Sequence, residues 1–303
     1  MSNQTQIDIC LCTFMRPELL RETLTSIEQQ QLSPDINVKV FVVDNDANAG
    51  AETVINEFKM RGLIDITYDI EPEQNIALAR NRSVRMGKGD YVAFIDDDEV
   101  ASESWLTHLY DCLRRYEADG VFGPVVPIYP SNAPAWVVES GLIDRPSHKT
   151  GTTVVTGATN NTLVKRSLLD QYTGPFDREF GLTGGSDAAL FRKAVKDGFK
   201  LIWCNEAIVS ESVPDERMTF EFLKRRSYRG GQCYARIILA EATLIEKLMW
   251  FFKRLAYTTV AILLVPFAMI LGTKYTMRAI RKLFLNLGQL SVLSGRYYYE
   301  YRR

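Results

Sequence analysis

The chain has 303 residues, of which 46% are hydrophobic and 24% are charged, with 19 glycines and 11 prolines. This composition is typical of a globular protein with a full hydrophobic core, and it excludes a collagen, a low-complexity disordered chain and a small disulfide-stapled scaffold. The five cysteines are odd in number and follow no framework spacing, which favours reduced thiols in a cytosolic setting.

The net charge of −1 conceals two oppositely charged parts. Residues 1–216 contain 20 Lys and Arg against 33 Asp and Glu, whereas residues 217–303 contain 16 against 4, which gives net charges of −13 and +12. The first residues have neither a cationic stretch nor a long apolar core, so we expect no secretory signal and a catalytic part on the cytoplasmic side. We predict a domain boundary near residue 215, with a catalytic domain over 1–215 and a basic helical region over 216–303.

The first part of the chain alternates predicted strands with predicted helices. Four apolar runs have the length of strands and are rich in β-branched residues: 7–12, 38–43, 64–68 and 91–95. Pro17 suits the first position of one helix, and Ser102 suits the cap of another helix whose apolar face includes Trp105. The alternation predicts an α/β fold with a mostly parallel sheet that is flanked by helices.

Polar residues follow the predicted strands at the edge where such sheets bind ligands. Thr13 and Arg16, after the first strand, offer a hydroxyl and a guanidinium that matches phosphate. After the second strand, Asp44 either contacts a base or ribose or forms a simple turn that ends at Asp46. Arg80, in a predicted helix, is expected either near the same edge or in a surface ion pair.

Four carboxylates, residues 96–99, come directly after the fourth predicted strand. Their mutual repulsion is costly unless a cation is bound, and Mg²⁺ and Mn²⁺ take oxygen ligands. Asp96 and Asp98 share a face if the extended geometry of the strand continues. The alternative is an acidic turn that caps the helix beginning near Ser102. The position at the sheet edge favours the metal site.

The basic second part contains an uncharged run of 19 residues, 255–273. This run is at the lower limit of the length that crosses a bilayer as a helix. Cationic residues on both flanks are consistent with a segment lying on an anionic leaflet, with a re-entrant turn at Pro266, or with a span. A buried helix of a soluble domain is the alternative. The surrounding positive charge favours membrane contact.

Four motifs in this order resemble a known family: 42–45, 75–81, 94–98 and 184–187. The chain resembles family 2 glycosyltransferases of the GT-A fold, in particular the bacterial exopolysaccharide branch with its succinoglycan-type glucosyltransferases, over roughly residues 6–230. The resemblance implies an inverting, metal-dependent transfer of one sugar, expected to be glucose, from a UDP-sugar. The implied acceptor is a polyprenyl-diphosphate-linked glycan of exopolysaccharide or cell-surface glycan synthesis, at the cytoplasmic face of the inner membrane. No nucleic-acid partner is expected.

The resemblance also implies roles for individual residues. Asp187 matches the catalytic base, although the same residue also suits the N-cap of a helix. Mn²⁺ or Mg²⁺ is expected on Asp96 and Asp98, with Glu211 as a third ligand. Asp44 is expected to contact the uracil, within a nucleotide-sugar pocket that is lined by Thr13, Arg16, Asp44, Asp46, Arg80, Asp96 and Asp97.

The acceptor half of the site rests on weaker signals. Asn160 and Asn161 are expected to hydrogen-bond sugar hydroxyls, and Trp136 to stack on a sugar ring. Arg226 and Arg229 either grip a diphosphate, of the donor or of the acceptor, or form a solvated basic helix face.

The chain departs from the family pattern at three places. Ser186 replaces the Glu that often precedes the base, and Glu211 lies where many relatives have a His. The segment 226–231 lacks the Gln-x-x-Arg-Trp signature of processive synthases, which favours a single transfer. The alternatives are a sugar nucleotidyltransferase, which needs a glycine-rich basic loop after the first strand, and an inactive scaffold, which the intact carboxylates disfavour.

Overall fold

The structure, a computed structural model, describes residues 4–300. Within these residues the strands are β1 Thr5–Thr13, β2 Ile36–Asp44, β3 Asp65–Ile70, β4 Tyr91–Ile95, β5 Glu99–Ala101, β6 Gly120–Phe122, β7 Val125–Ile128, β8 Asn161–Lys165, β9 Leu201–Trp203 and β10 Val209–Ser212. The helices are α1 Pro17–Glu28, α2 Glu52–Arg61, α3 Ile76–Met86, α4 Trp105–Arg115, α5 Ala135–Ser140, α6 Arg166–Leu169, α7 Ser186–Lys196, α8 Phe220–Leu239, α9 Leu244–Ile270 and α10 Thr273–Ser291.

Seven strands form the central sheet, in the order β3-β2-β1-β4-β8-β6-β9. Only β8 runs antiparallel to its neighbours in this sheet, so the predicted α/β class and mostly parallel sheet are confirmed. A second sheet of three strands, β5-β10-β7, lies beyond the carboxyl end of β4, because β5 begins four residues after β4 ends.

The alternation of side chains along β1 divides the core between the two faces of the sheet. Ile7, Ile9 and Leu11 lie in the cluster that includes residues of α1, α2 and α4. Cys10 lies in the other cluster, with residues of α3 and α7. Both faces of the central strands are therefore covered, as period-two alternation in a doubly covered sheet requires.

The start of α4 differs from the prediction. The helix begins at Trp105 with Ser104 in the N-cap position, and the hydroxyl of Ser102 has no hydrogen-bond partner among residues 4–300. The Ser102 carbonyl instead accepts hydrogen bonds from the Trp105 amide (2.9 Å) and the Gln30 side chain (2.8 Å). The predicted cap was therefore wrong by two residues, because Ser102 serves the junction between α1 and α4.

The last three helices are packed together, with α10 against both α8 and α9. A 3-10 turn, Asp215–Met218, connects β10 to α8, and the predicted division near 215 falls in this turn. Two glycines allow the backbones of α8 and α10 to touch. A Cβ at Gly231 would overlap the Leu285 carbonyl, and one at Gly288 would overlap the Tyr228 carbonyl.

Substitution of Gly231 by Ala should destabilise the protein by roughly 1–3 kcal/mol, because the added methyl group forces α10 away from α8. The neighbouring Gly230 has open space around its Cβ position, so Gly230→Ala is the matched control and should stabilise the helix by up to about 1 kcal/mol. Denaturant unfolding of both variants measures the difference. Equal effects of the two substitutions would contradict the close backbone contact.

Candidate active site

The carboxyl ends of β1 and β2 meet at one edge of the sheet. Thr13 and Asp44 are register partners, and the Asn45 amide donates to the Thr13 carbonyl at 2.8 Å. The fully buried Asp44 carboxylate accepts hydrogen bonds from the Asp46 amide (3.0 Å), the Ala51 amide (2.9 Å) and the Tyr68 hydroxyl (3.0 Å). Asp44 thus shapes the loop that follows β2, and its contact with a uracil stays a prediction.

Asp46 has a similar local role in the same loop. Its Oδ1 accepts hydrogen bonds from the amide and the side-chain nitrogen of Asn48, both at 3.0 Å. The Asn45 side chain then connects this loop to α3, because its Oδ1 accepts from the amide of Asn75, the N-cap of α3. The edge of the sheet and the start of α3 are therefore one hydrogen-bonded unit.

The acidic residues after β4 form a turn. The Glu99 amide donates to the Asp96 carbonyl at 3.3 Å, so the extended geometry that would place Asp96 and Asp98 on one face does not continue past β4. The turn still keeps the carboxylates close together, since the charge of Asp98 contributes to the raised pKa of Asp96. Asp97 faces β1 and accepts a hydrogen bond from the Thr13 hydroxyl at 2.8 Å.

Burial holds several of these acids above their usual pKa. It raises the pKa of Asp97 to about 7, with Arg16 opposing and Asp98 adding to the shift. Burial and the Asp96 charge raise the pKa of the fully buried Glu99 carboxyl well above its ordinary value. Burial and the neighbouring carboxylates thus disfavour the fully ionised form of the turn, a penalty that a bound cation reduces.

Arginines from distant segments neutralise part of this charge. Arg16 Nη1 lies 3.0 Å from an Asp98 oxygen and 3.3 Å from Asp97, and Arg217 Nη2 lies 3.0 Å from the same Asp98 oxygen. Arg80 Nη2 lies 3.6 Å from Asp96, so the structure brings this predicted residue to the site.

Glu211 is opposite Glu99 in the β10–β5 pair. One Glu211 oxygen accepts from Arg145 at 2.6 Å and the other pairs with Arg217. Burial alone would raise the pKa of Glu211, but the two arginines hold it below its ordinary value. Both oxygens of Glu211 are bonded to arginines, which gives it a role in holding Arg145 and Arg217, and its role as a third metal ligand stays a prediction.

Arg145 and Arg217 are site residues that the sequence reasoning missed. Arg145 lies in the irregular segment between α5 and β8, and Arg217 in the 3-10 turn before α8. No local pattern identifies them, since both reach the acids only through tertiary packing.

The residues that were predicted to bind the acceptor sugar differ in how deeply they are buried. Asn160 Nδ2 donates to the buried Glu99 at 3.2 Å. Asn161 is buried, and its side chain bonds Trp105 Nε1 and two backbone carbonyls, of Pro124 and Ala207. These bonds hold Asn161 within the scaffold, and its predicted contact with a sugar hydroxyl stays a prediction. Half-buried Trp136 packs on a small apolar cluster that includes Val213, and its sugar contact stays a prediction.

Asp187 lies in the first turn of α7, after two glycines with left-handed backbone (φ +78° at Gly184 and +101° at Gly185). The N-cap is Gly185, so the alternative interpretation of Asp187 as an N-cap is wrong by two positions. Asp187 Oδ1 accepts from the Ala188 amide at 2.8 Å, and its other oxygen has no hydrogen-bond partner in the described part of the chain. A carboxylate with one free oxygen is able to accept a proton from a ligand.

Arg226 and Arg229 extend the basic side of the site along α8. Arg226 is half-buried and forms no ion pair with any described carboxylate, and burial together with Arg145, Arg229 and Arg217 lowers its pKa to about 10. Arg229 Nε lies 3.3 Å from Glu300, and its Nη1 donates to the Thr183 carbonyl near Asp187. A guanidinium that is half-buried among other arginines is costly without an anion.

A cavity of about 190 Å³ lies between α8 and α10, with Arg226, Arg229 and Arg281 among its lining residues. Its size and its positive charge suit a small anionic group. This cavity is therefore a candidate anion site beside the carboxylate–arginine cluster.

The donor set fits a divalent cation that is completed by substrate. In the range 4–300, no three His, Cys, Asp or Glu side chains converge as a ready-made metal site. Mg²⁺, however, is commonly held by one or two carboxylates together with substrate phosphates. Asp96 and Asp98 supply such oxygens at the edge of the sheet, beside Arg80 and Arg16 respectively.

Comparisons with known proteins agree with this geometry. The family model described as glycosyl transferase family 2 matches residues 8–173. The succinoglycan biosynthesis protein ExoM of Rhizobium meliloti is 34% identical over 243 residues, which cover 80% of this chain and 78% of the relative.

Two solved structures show the same fold. The S. aureus TarS fragment 1–349, in complex with UDP-GlcNAc, is 14% identical with a TM-score of 0.57 and covers 97% of this chain and 93% of its own. The mannosyltransferase PcManGT of Pyrobaculum calidifontis, in complex with GDP-Man and Mn²⁺, is 17% identical with a TM-score of 0.67 and covers 96% and 87%. From its family match and its sheet with an acidic edge, we conclude that the chain belongs to glycosyl transferase family 2 and has the GT-A fold.

Proposed function

We propose that the protein transfers one sugar, with inversion, from a UDP-sugar to a lipid-linked oligosaccharide in exopolysaccharide synthesis, and that the sugar is glucose. The observation that carries the proposal is the carboxylate–arginine cluster at the carboxyl edge of the sheet. The similarity to ExoM, a succinoglycan biosynthesis protein, supports the pathway class, and the UDP-GlcNAc complex of the TarS fold relative supports a nucleotide-sugar donor.

The donor end of the proposed site consists of residues on β1, α3 and the acidic turn. Thr13 and Arg16 orient Asp97 and Asp98, and Arg80 reaches Asp96. In the proposed complex, Arg16 and Arg80 offer guanidinium groups to the diphosphate. Mn²⁺ or Mg²⁺, held by Asp96 and Asp98, would neutralise the negative charge that develops on the departing diphosphate.

The proposed base is Asp187. Its free oxygen takes the proton of the acceptor hydroxyl while the hydroxyl oxygen attacks C1 of the sugar. The bond between C1 and the diphosphate oxygen breaks on the opposite face, so the configuration at C1 inverts. Only one carboxylate is present at this position, because Ser186 is the preceding residue and is buried.

The proposed acceptor end contains Arg226 and Arg229. The unpaired Arg226 guanidinium and the adjoining cavity are suited to a diphosphate. The exposed apolar helix α9 follows α8 directly, which supports an acceptor held at a membrane. We propose that the enzyme works at the cytoplasmic face of the inner membrane.

Substitution of Asp98 by Asn should reduce turnover by about 10²–10³ without unfolding the protein, because the residue lies at the sheet edge and its loss removes charge stabilisation of the leaving group. The measurement is UDP release from UDP-glucose over a range of Mn²⁺ concentrations, with membrane extract as the source of acceptor. Asp215→Asn, at an exposed acid of the same part of the chain, is the control. Near-normal turnover of the Asp98 variant would refute the donor site.

Substitution of Asp187 by Asn should reduce transfer by about 10²–10⁴ and leave UDP-sugar affinity within a few-fold, because the variant loses only the proton acceptor. Asp197→Asn, at the other end of α7, removes one carboxylate charge but keeps an oxygen that accepts the hydrogen bond from the Tyr172 hydroxyl, and it serves as the matched control. Equilibrium binding and single-turnover transfer separate the two quantities. If binding and transfer fall equally, Asp187 has a structural role and is not the base.

A further inference from the structure

Helix α9 exposes an apolar surface that the protein itself does not cover. The helix has 27 residues and is long and apolar enough to cross a membrane. Leu263, Phe267 and Ile270 are 62%, 65% and 83% exposed, whereas the residues it buries are Thr258, Ala261 and Ala268. An uninterrupted apolar surface of this extent requires an apolar environment.

Helix α10 is held at two separate points, one on α5 and one on α8. Arg278 Nε donates to the Ser140 carbonyl of α5 at 3.0 Å, and Gly288 lies against the Tyr228 backbone of α8. Ten residues separate Arg278 from Gly288, which is about 15 Å along a helix. A helix fixed at two points this far apart lies along the body of the protein and does not project from it.

Helix α9 runs antiparallel to α10, to which it is joined by a short turn, and it is held near its C-terminal end and near its middle. The Thr276 hydroxyl of α10 donates to the Ala268 carbonyl at 3.1 Å, close to the turn at Gly272. Near its middle, Arg254 lies 5.7 Å from the ring of Tyr234 in α8. The second half of α9, from Arg254 onward, therefore lies alongside α10, which is itself docked on α5 and α8.

The positive charges of α10 determine whether the hairpin of α9 and α10 crosses a membrane or lies on its surface. Lys274, Arg278, Arg281 and Lys282 are exposed and lie beside the second half of α9. If α9 crossed a bilayer, these four cations would be beside it at hydrocarbon depth, where each is costly. If the hairpin lies at the surface, the same cations meet anionic headgroups, which attract them.

We propose that the hairpin Leu244–Ser291 lies in the plane of one leaflet of an anionic phospholipid bilayer and that no part of it crosses. The apolar side chains of α9 enter the boundary of the acyl chains, and the cations of α10 contact lipid phosphates. The inference deepens the proposed function, which supplies the reason for the enzyme to meet a membrane, but its geometry does not depend on the donor or the reaction. It also places the cavity beside Arg281 at the depth of lipid headgroups.

The first test determines on which side of the membrane two exposed lysine positions lie in the full-length protein. Lys253→Cys, in α9, and Lys274→Cys, at the start of α10, are labelled with a membrane-impermeant maleimide in native membrane vesicles of both orientations. The parent protein with its five native cysteines gives the background. The in-plane hairpin predicts that both positions label in the same vesicle orientation. Labelling in opposite orientations would show a span and overturn the proposal.

The second test measures partition of the purified protein onto vesicles with and without phosphatidylglycerol. Removal of two cations, in the double variant Lys274→Gln/Lys282→Gln, should weaken binding to the anionic vesicles roughly 30-fold, at roughly fivefold for each charge. The double variant Lys59→Gln/Lys88→Gln removes the same charge from exposed positions of the catalytic part and should change binding less than about twofold.

The remaining outcomes also decide the proposal. Absence of binding to any vesicle, or equal losses in both double variants, would overturn it and make α9 a contact between protein chains. Since the Asp98 and Asp187 variants test sugar transfer itself, an overturned hairpin with those two results intact would leave the proposed reaction standing.

Discussion

The accumulation of buried carboxylates at one edge of the sheet is the constraint on which the site depends. Asp97 and Glu99 are removed from water next to Asp98, and such a group of like charges is stable only with compensating cations. The fold supplies these from segments far apart in the chain. Arg16 comes from the start of α1, Arg145 from a long irregular segment and Arg217 from the turn before α8. Charge compensation thereby joins segments that the sheet alone would leave separate.

Arg217 connects the acidic turn to helix α8. It pairs with Asp98 and Glu211 at once, and it lies a few residues before the start of α8. The position of α8 is therefore coupled to the charge state of the acidic turn. Because Arg226 and Arg229 lie on the same helix, the acidic and basic sides of the site are held in fixed relation by one arginine.

Much of the fold followed from sequence patterns, and the reasons are local. The four apolar runs of the first part are strands β1 to β4, and Pro17 begins α1, because periodicity and proline geometry act within a few residues. Local conformations that depend on tertiary packing did not follow from the sequence patterns. Ser102 was predicted as a cap, but its carbonyl accepts from the Gln30 side chain, and the extended geometry of β4 does not continue through 96–98 because these residues form a turn.

The sequence predicted the acidic residues of the candidate site better than it predicted the arginines. Thr13, Arg16 and Arg80 do contact the acidic turn, as their positions after strands or in α3 suggested. Asn161 bonds the backbone around it, as a polar residue in a buried strand does, and its sugar contact stays a prediction. Arg145 had no signal at all, since its role depends on a fold that brings it to a residue 66 positions away.

The docking of α10 through Gly231 and Gly288 has a consequence for the order in which the protein is completed during synthesis. The apolar α9 leaves the ribosome before α10, and the glycine that fixes α10 to α8 comes near the end of that helix. The catalytic part folds first, as N-terminal units generally do during translation. For a short interval the nascent chain therefore presents α9 with no partner helix beside it. In that interval the apolar surface of α9 is most prone to bind other apolar surfaces, so α9 meets its final surroundings before α10 docks.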